Sequence, residues 1–126
     1  MSDIPSNLKY TKNDEWFDPE SGKMGLTDYA QDQLSDIVFV ELLVEAGDSA
    51  EAGKPIASVE SVKASAETYA SASGEVVAVN DGLSDNPEVL NGDPYGEGWM
   101  VQLEGGQPGE VMDAAAYEEY CEGREH

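Results

Sequence analysis

Positive charge is nearly absent from this sequence. Its 126 residues hold only six Lys and Arg, against 27 Asp and Glu, for a formal net charge of −21. Arg124 is the single arginine. Such a field repels phosphate backbones and anionic headgroups, which excludes nucleic acid and acidic membrane surfaces as partners. Cysteine is equally scarce. Cys121 stands alone, so no internal disulfide is available and a cytoplasmic location is expected. The only histidine, His126, is the last residue, so Cys/His metal clusters are excluded and no metal is expected. Long apolar runs are missing too: residues 37–44 form the longest, and Glu41 breaks it. The first ten residues are polar and resemble no signal peptide. The dinucleotide glycine fingerprint, the Walker loop, the Gly-x-Ser-x-Gly elbow and the calcium-loop spacing are all absent. A self-contained active site is therefore not expected.

What remains describes a folded domain. Hydrophobic residues make up 40% of the chain, with two Trp and six Tyr, unlike a disordered acidic segment. The length suits one domain with a real core, spanning residues 1–126. The acids are not a tail: 13 fall in residues 1–60 and 14 in residues 61–126. Either they form a docking face for basic partners, or they keep the protein soluble in very high salt. Their even spread and the shortage of Lys and Arg favour a halophilic protein. Cys121 reads as a small apolar residue of a terminal helix rather than a reactive thiol.

The order of segments is strand-rich. Thr27 caps a short helix over 27–34, with Asp28 in its first turn. Residues 37–44 alternate at period two, with Val38, Val40, Leu42 and Val44 on a dry face, which predicts a central strand. Strands are expected at 56–60 and 67–70, joined by 61–66, and again at 75–79. Asn80-Asp81-Gly82 forms a turn. Asn86 caps one helical turn that begins at Pro87. Trp99, Val101 and Leu103 alternate on a last strand. A C-terminal helix follows over about 110–121, with Met112, Ala115, Ala116, Tyr117 and Tyr120 grouped on one face. A weak repeat relates residues 36–53 to 74–93. It implies two halves packed as a pseudo-two-fold sandwich or flattened barrel.

One lysine stands apart. Lys63 lies among small residues, Val59-Glu60-Ser61-Val62-Lys63-Ala64-Ser65-Ala66-Glu67, at the tip of the expected hairpin. An ammonium standing clear in solvent suits covalent acylation, although composition alone favours an ordinary surface lysine.

The segment 59–64 resembles the lipoyl-attachment motif of the glycine cleavage H proteins. Gly25-Leu26-Thr27-Asp28-Tyr29-Ala30-Gln31, Asp36-Ile37-Val38-Phe39-Val40-Glu41-Leu42, Ser73-Gly74-Glu75-Val76-Val77-Ala78-Val79-Asn80 and residues 91–99 resemble further blocks of that family, in the family's order. The resemblance covers about residues 8–120. A biotin carrier usually has Met on both sides of its lysine; a lipoyl domain of a 2-oxoacid dehydrogenase is shorter and lacks the Trp99 block and the C-terminal helix. The resemblance implies a mainly β, lipoyl/biotinyl-type flattened barrel-sandwich with short helices.

It also implies a shuttle, not an enzyme. Lys63 would carry lipoate in amide linkage. The arm would take an aminomethyl group from a pyridoxal-phosphate glycine decarboxylase (P protein). It would deliver this group to a tetrahydrofolate-dependent aminomethyltransferase (T protein), and its dithiol would be reoxidised by dihydrolipoamide dehydrogenase (L protein). Lipoylating enzymes would be further partners, and a monomer is expected. Some H-like proteins instead relay lipoate to other complexes without glycine turnover, and the residues do not separate the two roles. The family's resting place for the loaded arm implies roles for Glu15 and Glu67, whose carboxylates would attract the aminomethyl ammonium. Asp14, Gln33 and Ala50 depart from the residues usual in the family. Trp16 and Trp99 read as packing residues.

Overall fold

The computed structural model describes residues 4–109 and 111–124. The chain opens with β1 (Lys9–Tyr10), β2 (Glu15–Phe17) and β3 (Lys23–Leu26), followed by α1 (Asp28–Leu34), β4 (Ile37–Leu42) and β5 (Ser49–Ala50). A hairpin of β6 (Pro55–Ser61) and β7 (Ser65–Tyr69) leads into β8 (Ala72–Val79). Two short helices, α2 (Gly82–Asp85) and α3 (Val89–Gly92), precede β9 (Val101–Pro108) and α4 (Ala114–Arg124). Six strands form one antiparallel sheet in the order β1-β2-β3-β9-β8-β5, and β4-β6-β7 form a second. This is the mainly β barrel-sandwich architecture expected from the sequence.

The two sheets share one core. Phe17, Met24, Val76, Val101 and Leu103 of the larger sheet meet Val40, Ile56, Ala57 and Val59 of the smaller. A second cluster of Leu8, Tyr10, Trp16, Tyr29, Tyr117 and Cys121 seats α4 against the outer strands. The Tyr10 and Tyr117 rings stack there at 4.8 Å. The α1 cap forms as its sequence predicts: Thr27 Oγ1 accepts from the Ala30 N–H at 3.1 Å. The same hydroxyl shares a 2.8 Å hydrogen bond with the Tyr117 hydroxyl, which ties α1 to α4. No helix among the described residues is long and apolar enough to cross a membrane.

Several elements differ from their sequence expectations. β4 is an edge strand, paired only with β6, rather than a central one. A β-bulge between Ile37 and Phe39 breaks the period-two alternation, so Val38 is exposed while Ile37 and Val40 are buried. The turn at residues 86–88 is extended into α3, which starts at Val89; Asn86 contributes its backbone carbonyl to the Val89 N–H. The C-terminal helix starts at Ala114, not near 110. Met112 is held extended by bridging to Tyr10, and Asp113 then caps the helix through the Ala116 N–H. Its inward residues are Tyr117 and Cys121, whereas Ala115 and Ala116 are exposed. The two halves of the weak repeat are joined in one sheet, because β5 of the first half pairs with β8 of the second. Glu110 and His126 lie outside the described residues.

Replacing Thr27 by Ala removes the cap and the bond to Tyr117 together. A loss of about 1–3 kcal/mol is expected, read as a lower urea midpoint at unchanged slope.

Candidate functional site

The β6–β7 hairpin presents Lys63. Glu60 pairs with Ser65, Val59 with Ala66 and Ser58 with Glu67, leaving Val62, Lys63 and Ala64 as the turn. An ordinary tight turn uses Gly at a positive φ. Here no turn residue has a positive φ, so Gly is not needed. Ser61 closes the loop instead. Its N–H donates to the Ala64 carbonyl at 2.8 Å, and its Oγ accepts from the Ala64 N–H at 3.0 Å. The Val62 N–H donates to the Asp36 carbonyl at 3.1 Å, anchoring the turn to the start of β4. Lys63 is exposed on this braced tip, flanked by exposed Val62 and Ala64. The small, open surroundings leave room for a group attached at Nζ.

The two carboxylates occupy different environments along β7. Glu67 is exposed, on the outer face of the small sheet; Ser58 lies between it and Glu41 in register. Glu15 is buried. Its Oε1 accepts from the Thr11 hydroxyl at 2.7 Å, and its Oε2 accepts from the Tyr69 N–H at 3.1 Å. Tyr69 is two residues beyond Glu67, roughly 7 Å along an extended strand. Proceeding from the tip along β7, Lys63 in the turn therefore comes first, then Glu67, and Glu15 of β2 meets the strand's far end. Glu15 also lines a groove of about 620 Å³, with Thr11, Asn13, Ala70, Ser71 and Met112 among its walls.

Burial pushes the Glu15 carboxyl up to about 7, against the bonds from Thr11 and Tyr69, which lower it; the nearby Asp14 charge raises it further. Asp14 itself has a left-handed backbone, φ 67°, a conformation that Asp tolerates better than most residues. Its carboxylate accepts from the Tyr117 hydroxyl at 2.9 Å, so it serves packing at this departure from the family's usual His. Gln33 is exposed on α1, and Ala50 is buried in β5. Trp16 packs as expected, its Nε1–H bonded to the Pro94 carbonyl at 3.0 Å. Trp99 is half-buried beneath the Lys23 ammonium, 5.0 Å from the ring centre. Thr11 and Ser61 carry much of this geometry and were not singled out from the sequence. Ser61 is recognisable as a turn-closing hydroxyl; nothing local marks Thr11.

The model of the glycine cleavage H-protein family matches residues 8–125. The chain belongs to this family. The glycine cleavage system H protein of Halalkalibacterium halodurans is 48% identical over 124 residues, covering 97% of this chain and 96% of its own. That of Deinococcus deserti is 50% identical over 115 residues, covering 90% and 94%. A crystal structure of a glycine cleavage system H protein from Mycobacterium marinum superposes with a TM-score of 0.84 at 34% identity, covering 93% of this chain and 98% of that one. The family's fold is therefore the fold observed.

Glu15 makes stability depend on pH. Its ordinary value is 4.5 and its folded value about 7. Between them the folded state keeps a proton that the unfolded state has released, so stability is full below the lower value and falls as pH rises through the upper. The difference is on the order of 3 kcal/mol. Glu15→Gln mimics the protonated carboxyl and lacks this component. Urea unfolding of both proteins at pH values from about 4 to 9 should show the unsubstituted protein losing stability relative to the variant. Parallel curves would contradict a protonated Glu15.

Proposed function

We infer that this chain is the lipoyl shuttle of a glycine cleavage system and that Lys63 is its attachment point. The carrying observation is an exposed lysine on a turn braced by Ser61 and Asp36, inside the segment that resembles the family's attachment motif. Lipoate, once attached, supplies a disulfide that takes up an aminomethyl group with two electrons and ends as a dithiol for reoxidation. The chain provides the rest. The rigid tip fixes where the arm begins. The order of Glu67 and Glu15 along β7 supports an arm that folds back beside this strand towards the groove. Glu67 is open to a cationic cargo. Glu15 is about half neutral near pH 7, and a positive charge brought into the groove favours its ionisation.

The partners are those of the family: the glycine decarboxylase, the aminomethyltransferase, dihydrolipoamide dehydrogenase and the lipoylating enzymes. The protein is their common substrate rather than a catalyst, and it acts as a monomer in the cytoplasm. Intact mass decides the central point. Protein from a lipoylating host should gain the mass of one lipoyl group, located on Lys63. Lys63→Arg should keep the fold and lose glycine–bicarbonate exchange with the decarboxylase. A bare Lys63 in a fully lipoylating host, or retained exchange in the variant, would overturn the assignment.

The surface supports folding in high salt. Glu15 is the one carboxylate among the described residues that is buried, so the acids are otherwise laid on or near the outside, where salt screens their repulsion. Dilution into low salt should cause cooperative unfolding, followed by far-ultraviolet circular dichroism; a salt-independent signal would contradict this adaptation.

A further inference from the structure

Among the described residues, the exposed large apolar side chains are Val38, Phe39, Leu43, Val62 and Val77. Three of these five gather at the Lys63 turn. Phe39 lies opposite Glu60, three residues before Lys63, and the bulge places Val38 beside it. Val62 adjoins Lys63, and the bond from its N–H to the Asp36 carbonyl holds the turn against the start of β4. With strands about 4.8 Å apart, these residues form one neighbourhood. Val38 is 52% exposed, Phe39 46% and Val62 67%, and none belongs to either apolar cluster. Apolar residues scattered singly over a surface need no explanation, but a group around one reactive amine does. Exposed Asp36, Glu41 and Glu60 ring the group.

We propose that Val38, Phe39 and Val62 form the docking surface for the enzyme that acylates Lys63, whose mouth offers an apolar floor and a rim of Lys or Arg. This rests on Lys63 being the lipoyl site. Geometry selects that partner. The acylating enzyme must reach the bare Nζ, so it must cover the surface immediately around it. Enzymes that act on the far end of a long arm have no such need. The side chains of Ser61 and Ala64 are too small to anchor a partner, which leaves the apolar group as the contact and the acidic ring as the steering field. In the reaction, the deprotonated Nζ attacks the carbonyl of an activated lipoyl phosphate anhydride. The amide C–N bond forms, the carbonyl–oxygen bond to the phosphate breaks, one proton is released, and no electrons change hands.

The test uses the unmodified full chain and a purified lipoate ligase with lipoate and ATP, following acylation by intact mass. In the double variant Val38→Ser/Phe39→Ser, KM for the protein should rise about tenfold or more, with kcat within about twofold. Val62→Ser lies in an exposed turn and should raise KM in the same direction, so the test survives if the double variant fails to fold. Unchanged KM in the folded variants overturns the proposal. Failure of the unsubstituted chain to be acylated at Lys63 overturns the lipoyl reading itself. Unchanged acylation with impaired turnover by the decarboxylase or aminomethyltransferase assigns the surface to those enzymes and overturns it here. Unchanged acylation with loss of a dimer in sedimentation assigns it to a second copy, with the same consequence.

Discussion

One buried carboxylate joins the two sheets. Glu15 belongs to β2 of the large sheet, yet its Oε2 accepts from the backbone of Tyr69 on β7 of the small one. β7 is an edge strand and has backbone donors to satisfy. Glu15 satisfies one, at the base of the hairpin that carries Lys63. Thr11 holds the other oxygen, and its own hydroxyl also accepts from the Asn13 and Glu15 N–H groups. The hairpin that presents the lysine is therefore tied to the larger sheet at its base, while its tip is held by Ser61 and Asp36.

Glu15 also stands apart from the other acids of the described chain, being the one that is buried. Most acids sit where water and ions moderate them. Glu15 is buried in the wall of the groove, and burial raises its proton affinity until it is half neutral near pH 7. A carboxyl at this balance responds to a nearby cation more readily than a surface acid does. The hairpin end follows the opposite logic. Its tip is open and braced only by short polar bonds, and it is bordered by apolar side chains the core does not use.

The local features were legible because their causes are local. Thr27 before a helical pattern, the alternation around Val40 and the small residues around Lys63 each occupy a few neighbouring positions. Their helix, strand and turn follow with only small shifts of boundary. The misread features share a different cause. Residues 37–44 read as a central strand because alternation reports which residues are apolar, not how many strands lie beside them. The bulge at Val38 was invisible for the same reason. The start of α4 was displaced because Met112 bridges to Tyr10, a partner roughly a hundred residues away.

The candidate site divides along the same line. The sequence by itself determined the lysine and its small flanking residues, which lie in one short segment, and the family, which is carried by short blocks in a fixed order along the chain. It also determined the charge of the surface, which is a sum over composition. Tertiary structure alone decided that Glu15 is buried, with its proton affinity raised, while Glu67 stays in water. It alone gathered Val38, Phe39 and Val62 beside Lys63. Desolvation and contact depend on which distant segments the fold brings together, and no run of adjacent residues records that.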